Sequence, residues 1–143
     1  MSDDRISLEE LRYMSIFQNF TGVTVYRCII DDNDNRLIFL VGKGEAGKAI
    51  GRGGRNVKAL RDSLGKDIEV VEYSESLEEM VRNLFPGVKI RRVIVRGRDD
   101  GRIVEVRVAE EDKGAAIGRG GRNVKRARIV LARLFGVSKV IVR

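Results

Sequence analysis

Two stretches of the chain place glycine, arginine and lysine where an anionic ligand would need them. Residues 47–61 read GKAIGRGGRNVKALR and residues 114–128 read GAAIGRGGRNVKRAR. The copies agree at 12 of 15 positions, share the unbroken core GRGGRNVK, and lie 67 residues apart. Duplication for folding alone would keep the apolar pattern; here the surface glycines and cations are kept too, which points to one kind of ligand met twice. In each copy a glycine turn separates two helical segments. The second segment then begins with amide N–H groups that have no intrahelical partner and with the positive end of the helix dipole, an arrangement that favours phosphate. Glycine at Gly51, Gly53 and Gly54, and at Gly118, Gly120 and Gly121, permits positive φ and lets a sugar-phosphate chain reach the backbone. Arg52 and Arg119 project from the turns toward phosphate oxygens. Arg55, Lys58, Arg122 and Lys125 follow on the helices and widen the field. Ile50 and Ile117 just precede the turns and offer an apolar floor for a base.

Other chemistry finds little support in the residues. The chain has no His, and its single Cys28 sits in the strand-like VYRCII, where a lone cysteine is a small buried hydrophobe. The carboxylates of Asp31-Asp32-Asn33-Asp34-Asn35 lack the spacing and terminal Glu of an EF-hand and read as a solvated hairpin tip. No metal site, catalytic group or cofactor is expected. One rival motif is present: Gly42-Lys43-Gly44-Glu45-Ala46-Gly47 matches G-x-G-x-x-G after a strand, and Gly42 to Lys48 nearly forms a P-loop. Ala49 lacks the hydroxyl that would ligate Mg²⁺, and the second copy has Asp112-Lys113-Gly114-Ala115-Ala116 there. A nucleotide-binding enzyme using this segment is therefore the remote alternative.

The elements that position the turns follow from local pattern. Ser7-x-x-Glu10 is a capping box opening a helix with an apolar stripe of Leu8, Leu11, Ile16 and Phe20, with Tyr13 and Phe17 nearby, its aromatics read as core. Strands are expected at 23–30, 36–41 and 68–71, with helices at 44–50 and 55–64. The order then repeats: a helix at 76–85 capped by Ser76, strands at 88–95 and 103–108 around a turn at Asp99-Asp100-Gly101, helices at 112–117 and 122–135, and a closing strand at 139–142. The domains are thus 1–74 and 75–143, with almost no linker, a tether short enough to hold them in a fixed relation. Val70 and Val140 on the third strands complete the apolar floors. Arg61, Arg128 and Arg133 are expected on an outer face or paired with the acidic stretch.

The chain has 143 residues, with 28 Lys and Arg against 21 Asp and Glu, a net charge of +7 that favours a polyanion. The excess is local. Residues 43–66 hold seven bases and two acids, and 103–143 hold ten and four, whereas 67–80 hold six acids and no base. No apolar run approaches a membrane span, and MSDDRISLEEL is not a signal peptide, so the reading is a cytoplasmic protein without a membrane partner.

Gly51-Arg52-Gly53-Gly54 and Gly118-Arg119-Gly120-Gly121, each between two helices and repeated in register, resemble the GXXG loop of KH domains, which holds about four nucleotides of single-stranded RNA. The element order is similar to the type II KH arrangement. This implies an α+β fold of two tandem KH domains, each a three-stranded mixed sheet with helices packed on one face. AIGRGGRNVK and KGAAIGRGGRNVKRAR resemble the KH pair of the NusA family, in its short archaeal form. That resemblance implies a monomer acting in transcription termination or antitermination, with single-stranded nascent RNA and RNA polymerase as partners. There is no room for the N-terminal polymerase-binding domain or the S1 domain of the bacterial form. A ribosomal or ribosome-assembly KH protein is the competing reading, which only family likeness separates.

Overall fold

The computed structural model of the chain describes residues 5–98 and 101–143. They form two compact units, Arg5–Ser74 and Glu75–Arg143. In the first, helix α1 (Leu8–Thr21) leads to strands β1 (Val25–Asp31) and β2 (Arg36–Val41), helices α2 (Ala46–Ile50) and α3 (Arg55–Leu64), and strand β3 (Asp67–Glu72). The second repeats the order with α4 (Leu77–Asn83), β4 (Ile90–Arg96), β5 (Arg102–Val108), α5 (Lys113–Ile117), α6 (Arg122–Phe135) and β6 (Val137–Val142). Each sheet is three-stranded, β1-β2-β3 or β4-β5-β6, with an antiparallel pair followed by a parallel one. The antiparallel pair needs only a hairpin. The parallel pair needs a crossover, and the two helices flanking each glycine turn supply it. Both sheets carry a register shift at the same place, between Val25 and Arg27 and between Ile90 and Arg92. The architecture is the mixed-sheet α+β fold expected of tandem KH units. The turn expected at Asp99-Asp100 lies outside the described residues.

The Ser7 hydroxyl accepts from the Glu10 amide at 3.1 Å while Glu10 Oε1 accepts from the Ser7 amide at 3.4 Å, the reciprocal box that starts α1. Gly22, at φ 73°, ends it. The buried face of α1 is Glu10, Tyr13 and Phe17, with Ile16 partly packed beside it; of the expected stripe, Leu8, Leu11 and Phe20 face out, 85, 47 and 52 % exposed. Positions 10, 13 and 17 share one helical face. Phe17 stacks on Phe39 of β2 at 4.2 Å, and the acid among them is offset by Arg27, 3.6 Å away. Around this stack Val25, Cys28, Leu37, Val41, Ala49, Leu60 and Ile68 close the core on one face of the sheet. On the opposite face of β2, Ile38 and Leu40 are buried as well, as its unbroken apolar run implies.

The acidic hairpin is the solvated tip that composition suggested only at Asp32, Asn33 and Asn35, which are exposed. Asp31 is buried, and its Oδ2 accepts from Arg36 Nε at 2.7 Å. Glu69 of β3 meets Arg36 Nη1 at 3.3 Å, and Asp34 lies 3.6 Å from Nη2. A guanidinium with no exposure therefore draws carboxylates from both neighbouring strands, because a buried charge must be paired.

In the second unit the buried apolar residues include Val104, Val106 and Val140 of the sheet and Ala127, Val130 and Leu131 of α6. The last three fall at i, i+3 and i+4, one stripe of the helix. Arg126 beside them donates to the Leu84 carbonyl at 2.7 Å and so ties α6 to the end of α4. Helix α6 has 14 residues where α3 has 10.

Candidate nucleic-acid interface

The chain leaves α2 at Gly51, whose φ of 81° and ψ of 164° fall in a region that only glycine occupies readily. The Gly54 amide donates to the Gly51 carbonyl at 3.0 Å, closing one tight turn. Gly53 and Gly54 are left-handed, at φ 62° and 75°, and α3 starts at Arg55. The second copy has φ 81°, ψ 166° at Gly118, and φ 64° and 76° at Gly120 and Gly121. Identical residues have produced the same backbone twice.

A side chain outside the expected set shapes this turn. Asn123 Nδ2 donates to the Ala115 carbonyl at 3.0 Å, and Asn56 Nδ2 donates to that of Lys48 at 3.4 Å. Each asparagine thus bridges back across the turn and fills the space beside its first glycine. A Cβ on Gly51 would lie 2.9 Å from Asn56 Cγ, and one on Gly118 equally close to Asn123 Cγ. The asparagines stand inside the duplicated GRGGRNVK, and their retention in both copies is the signal that could have found them.

The middle glycines differ in kind. A Cβ on Gly53 or Gly120 would meet nothing within 4 Å, and one on Gly54 or Gly121 would meet only the Cε of Lys58 or Lys125. Here the backbone faces open space with a lysine alongside. No side chain caps the start of α3 or α6; the amides of Arg55 and Arg122 instead donate back to the carbonyls of Arg52 and Arg119. Arg52, Arg55, Lys58, Arg119 and Lys125 are exposed, and none has an ion-pair partner among the described residues; Arg122 is half-buried.

In the second unit an open groove of about 390 Å³ lies beside the turn. Its apolar wall is Ile117, Val124, Val140, Ile141 and Val142, its cations are Lys125 and Arg128, and Gly121 borders it. Ile117, Gly121, Lys125 and Val140 are thus brought together. Arg128, expected on an outer face, joins them, as do Val124, Ile141 and Val142, which composition alone did not single out. In the first unit Ile50 is half-buried and Val70 packs partly against the core.

Val70 and Val140 are not equivalent positions. Val140 pairs with Val104, whereas Val70 pairs with Phe39. The shared register shift matches Leu37 to Val104 and Phe39 to Val106. The counterpart of Val140 is therefore Ile68, and that of Val70 is Val142. The extra turn of α6 moves the last strand along the sequence and defeats alignment by eye.

The rival P-loop segment is differently arranged. The Ala46 amide, at the start of α2, donates to Glu72 Oε2 at 3.4 Å. A carboxylate stands where a bound phosphate would have to sit, and α2 is only five residues long. Cys28 is buried in the sheet, and burial, with the charges of Glu10 and Glu9, pushes its thiol up to about 12. It is no nucleophile at neutral pH.

The comparisons with known proteins agree with this geometry. Residues 11–99 match the family model described as KH domain. The chain is 36 % identical to the probable transcription termination protein NusA of Methanococcus vannielii over 95 % of its own length and 78 % of that protein's. It is 35 % identical to the protein of the same name from Halobacterium salinarum, over 95 % and 96 % of the two chains. Its fold superposes on the crystal structure of APE1850 with a TM-score of 0.92 at 65 % identity, covering 96 % of this chain and all of that one. Repeated turn, mixed sheets and near full-length relatives together make this chain a member of the KH-domain family, in the branch of short archaeal NusA proteins.

Proposed function

We propose that the chain is an RNA-binding transcription termination factor that holds single-stranded nascent RNA at its two glycine turns. The observation that carries this is the pair of turns with one backbone geometry, open glycines, helix starts without side-chain caps and exposed cations. The turn amides at Arg52 and Gly53, with the Arg52 side chain, would hold phosphates in the first unit, and those at Arg119 and Gly120, with the Arg119 side chain, in the second. Arg55, Lys58, Arg122 and Lys125 add field around them. Bases would lie against Ile117 and Val140 in the second groove and against Ile50 and the Val70 strand in the first. With no aromatic residue on these walls, base selection falls to apolar contact and to polar groups of the third strands rather than to stacking. The names of the relatives support a role in transcription termination or antitermination; RNA polymerase as the protein partner and a monomeric chain are part of this proposal.

The test is binding of an unstructured RNA oligonucleotide to the full chain by fluorescence anisotropy at several salt concentrations, with crosslinked peptides mapped. Crosslinks should fall within 50–58 and 117–125. Six cations on phosphates would give a log–log salt slope of about −4. A slope near zero, or crosslinks confined to other segments, would overturn the assignment.

A further inference from the structure

The outer face of the second sheet, which meets the groove only at Ile141 on its edge strand, is basic. With the described register, Arg92, Ile94 and Arg96 of β4 share a face with Ile103, Glu105 and Arg107 of β5 and with Lys139, Ile141 and Arg143 of β6. Arg143 bonds its strand to β5 on either side of Arg107, so Arg92, Arg107 and Arg143 form a row across all three strands. Arg96 and Lys139 flank Ile103 at the other end. All five cations are exposed. Among the described residues the only acid of the face is Glu105, buried at its centre: it accepts from Arg107 Nε at 2.6 Å and Arg143 Nη1 at 3.1 Å, with Arg96 at 4.0 Å. These guanidinium groups, the hydrogen bond from Arg107 first, hold its carboxyl below the usual carboxylate range, so the anchor stays charged. One carboxylate thus orients three arginines whose remaining donors face solvent, and four positive charges are left over.

Nothing in the fold demands this. By the shared register, the first unit has Leu40 where the second has Arg107, Ile38 where it has Glu105, and a buried Arg27 where it has Arg92. The first unit keeps this face apolar and buried, whereas the second exposes it and loads it with one sign of charge, an excess that solvation alone does not require and that suits a polyanion. The layout of the cations indicates which one. Four residues of strand separate the two cation rows, about 13 Å, a spread that suits phosphates facing each other across the wide, shallow minor groove of A-form RNA. The face has no glycine turn, the feature assigned above to the unpaired strand. We propose that the outer face of β4-β5-β6 is a second RNA surface, which takes the two phosphate backbones of a base-paired stem, separate from the turns that take the unpaired strand.

The test uses the full chain and two probes, a blunt RNA duplex and an unstructured oligonucleotide. Arg92 and Lys139 have no partner among the described residues, so Arg92→Glu with Lys139→Glu should leave the fold intact, checked by circular dichroism and Tm. Duplex affinity should fall at least tenfold and its salt slope shrink by about 2, at about 0.9 per phosphate contact, with oligonucleotide affinity changed less than twofold. The neutral pair Arg92→Gln and Lys139→Gln should show the same pattern at smaller amplitude, which keeps the question open to refutation if reversal unfolds the unit. Arg119→Asp with Gly120→Asp should do the opposite, weakening the oligonucleotide and sparing the duplex. Unchanged duplex binding in both face variants, or equal loss for both probes, overturns the proposal. Failure of the oligonucleotide arm alone would instead count against the turns. A face variant that keeps the duplex but loses an acidic protein ligand would assign the surface to a protein.

Discussion

Replacing Arg52 and Gly53 together by Asp turns the first glycine turn from an anion site into an anion barrier while leaving its frame standing. A Cβ at Gly53 meets nothing within 4 Å, so the only folding cost is a left-handed backbone at φ 62°. Aspartate tolerates that region at about 1 kcal/mol, a fall in Tm of about 4 °C or less for a chain of this size. The ligand side loses far more. One charge-assisted hydrogen bond from Arg52 is worth about 1.5–3 kcal/mol. Two new carboxylates about 4 Å from a phosphate add roughly 1 kcal/mol of repulsion each, even at the dielectric of water. The sum, about 4 kcal/mol, is on the order of 10³-fold in affinity at that turn. Because the second turn would still bind, the assay is anisotropy titration of this pair alone, of Arg119→Asp with Gly120→Asp, and of all four changes. Either pair should leave weak binding with the salt slope reduced by about 2, as the three cations of that turn leave their phosphates, and four changes should abolish it. Gly51→Ala is the contrasting variant: its Cβ would sit 2.9 Å from Asn56 Cγ at a dihedral pair alanine does not adopt, so stability and binding should fall together. Full affinity in the quadruple variant at native Tm would refute the reasoning, since it would mean that the turns never meet the strand.

Arg36→Ala should destabilise the first unit by about 3–5 kcal/mol, read as a shift in urea midpoint, because it strands Asp31 and Glu69 without their buried counter-charge; an unshifted midpoint would contradict the pairing. Cys28 should resist alkylation at pH 8 until the protein is unfolded. Its thiol stays protonated in the fold to about 12, while the unfolded thiol ionises from about 9. Stability from this group is therefore intact below pH 9 and is lost as pH rises toward 12, by up to about 1.4 kcal/mol per unit. Stability of Cys28→Ala should decline less steeply over that window.

The repeat was readable because its residues are the kind that folding alone does not keep, and the helices and strands around it because caps and apolar runs are local. What escaped the sequence depends on partners far along the chain. Nothing near Glu10 reveals that it turns inward with Tyr13 and Phe17 while Leu8 and Leu11 face out; the reason is Arg27, on another element. Asp31 and Asp34 looked like a water-exposed turn because Glu69, which completes their ring around Arg36, belongs to a strand beyond two helices. The third-strand walls were misaligned for a similar reason. Helix α6 is longer than α3, so Val70 and Val140 occupy different rungs of their sheets, and only the pairing with β2 and β5 shows it. The place of Arg128 beside Lys125 in the groove was invisible to charge counting, which cannot tell one side of a helix from another.

The sealed sulfur of the first sheet makes the chain a ready host for fluorescent reporters. Lys48 and Ala115 are exposed equivalents beside the two turns, and a cysteine introduced at either would be the sole dye acceptor on the surface without editing the native one. Each turn could then be watched filling on its own, in real time, in an otherwise unaltered protein.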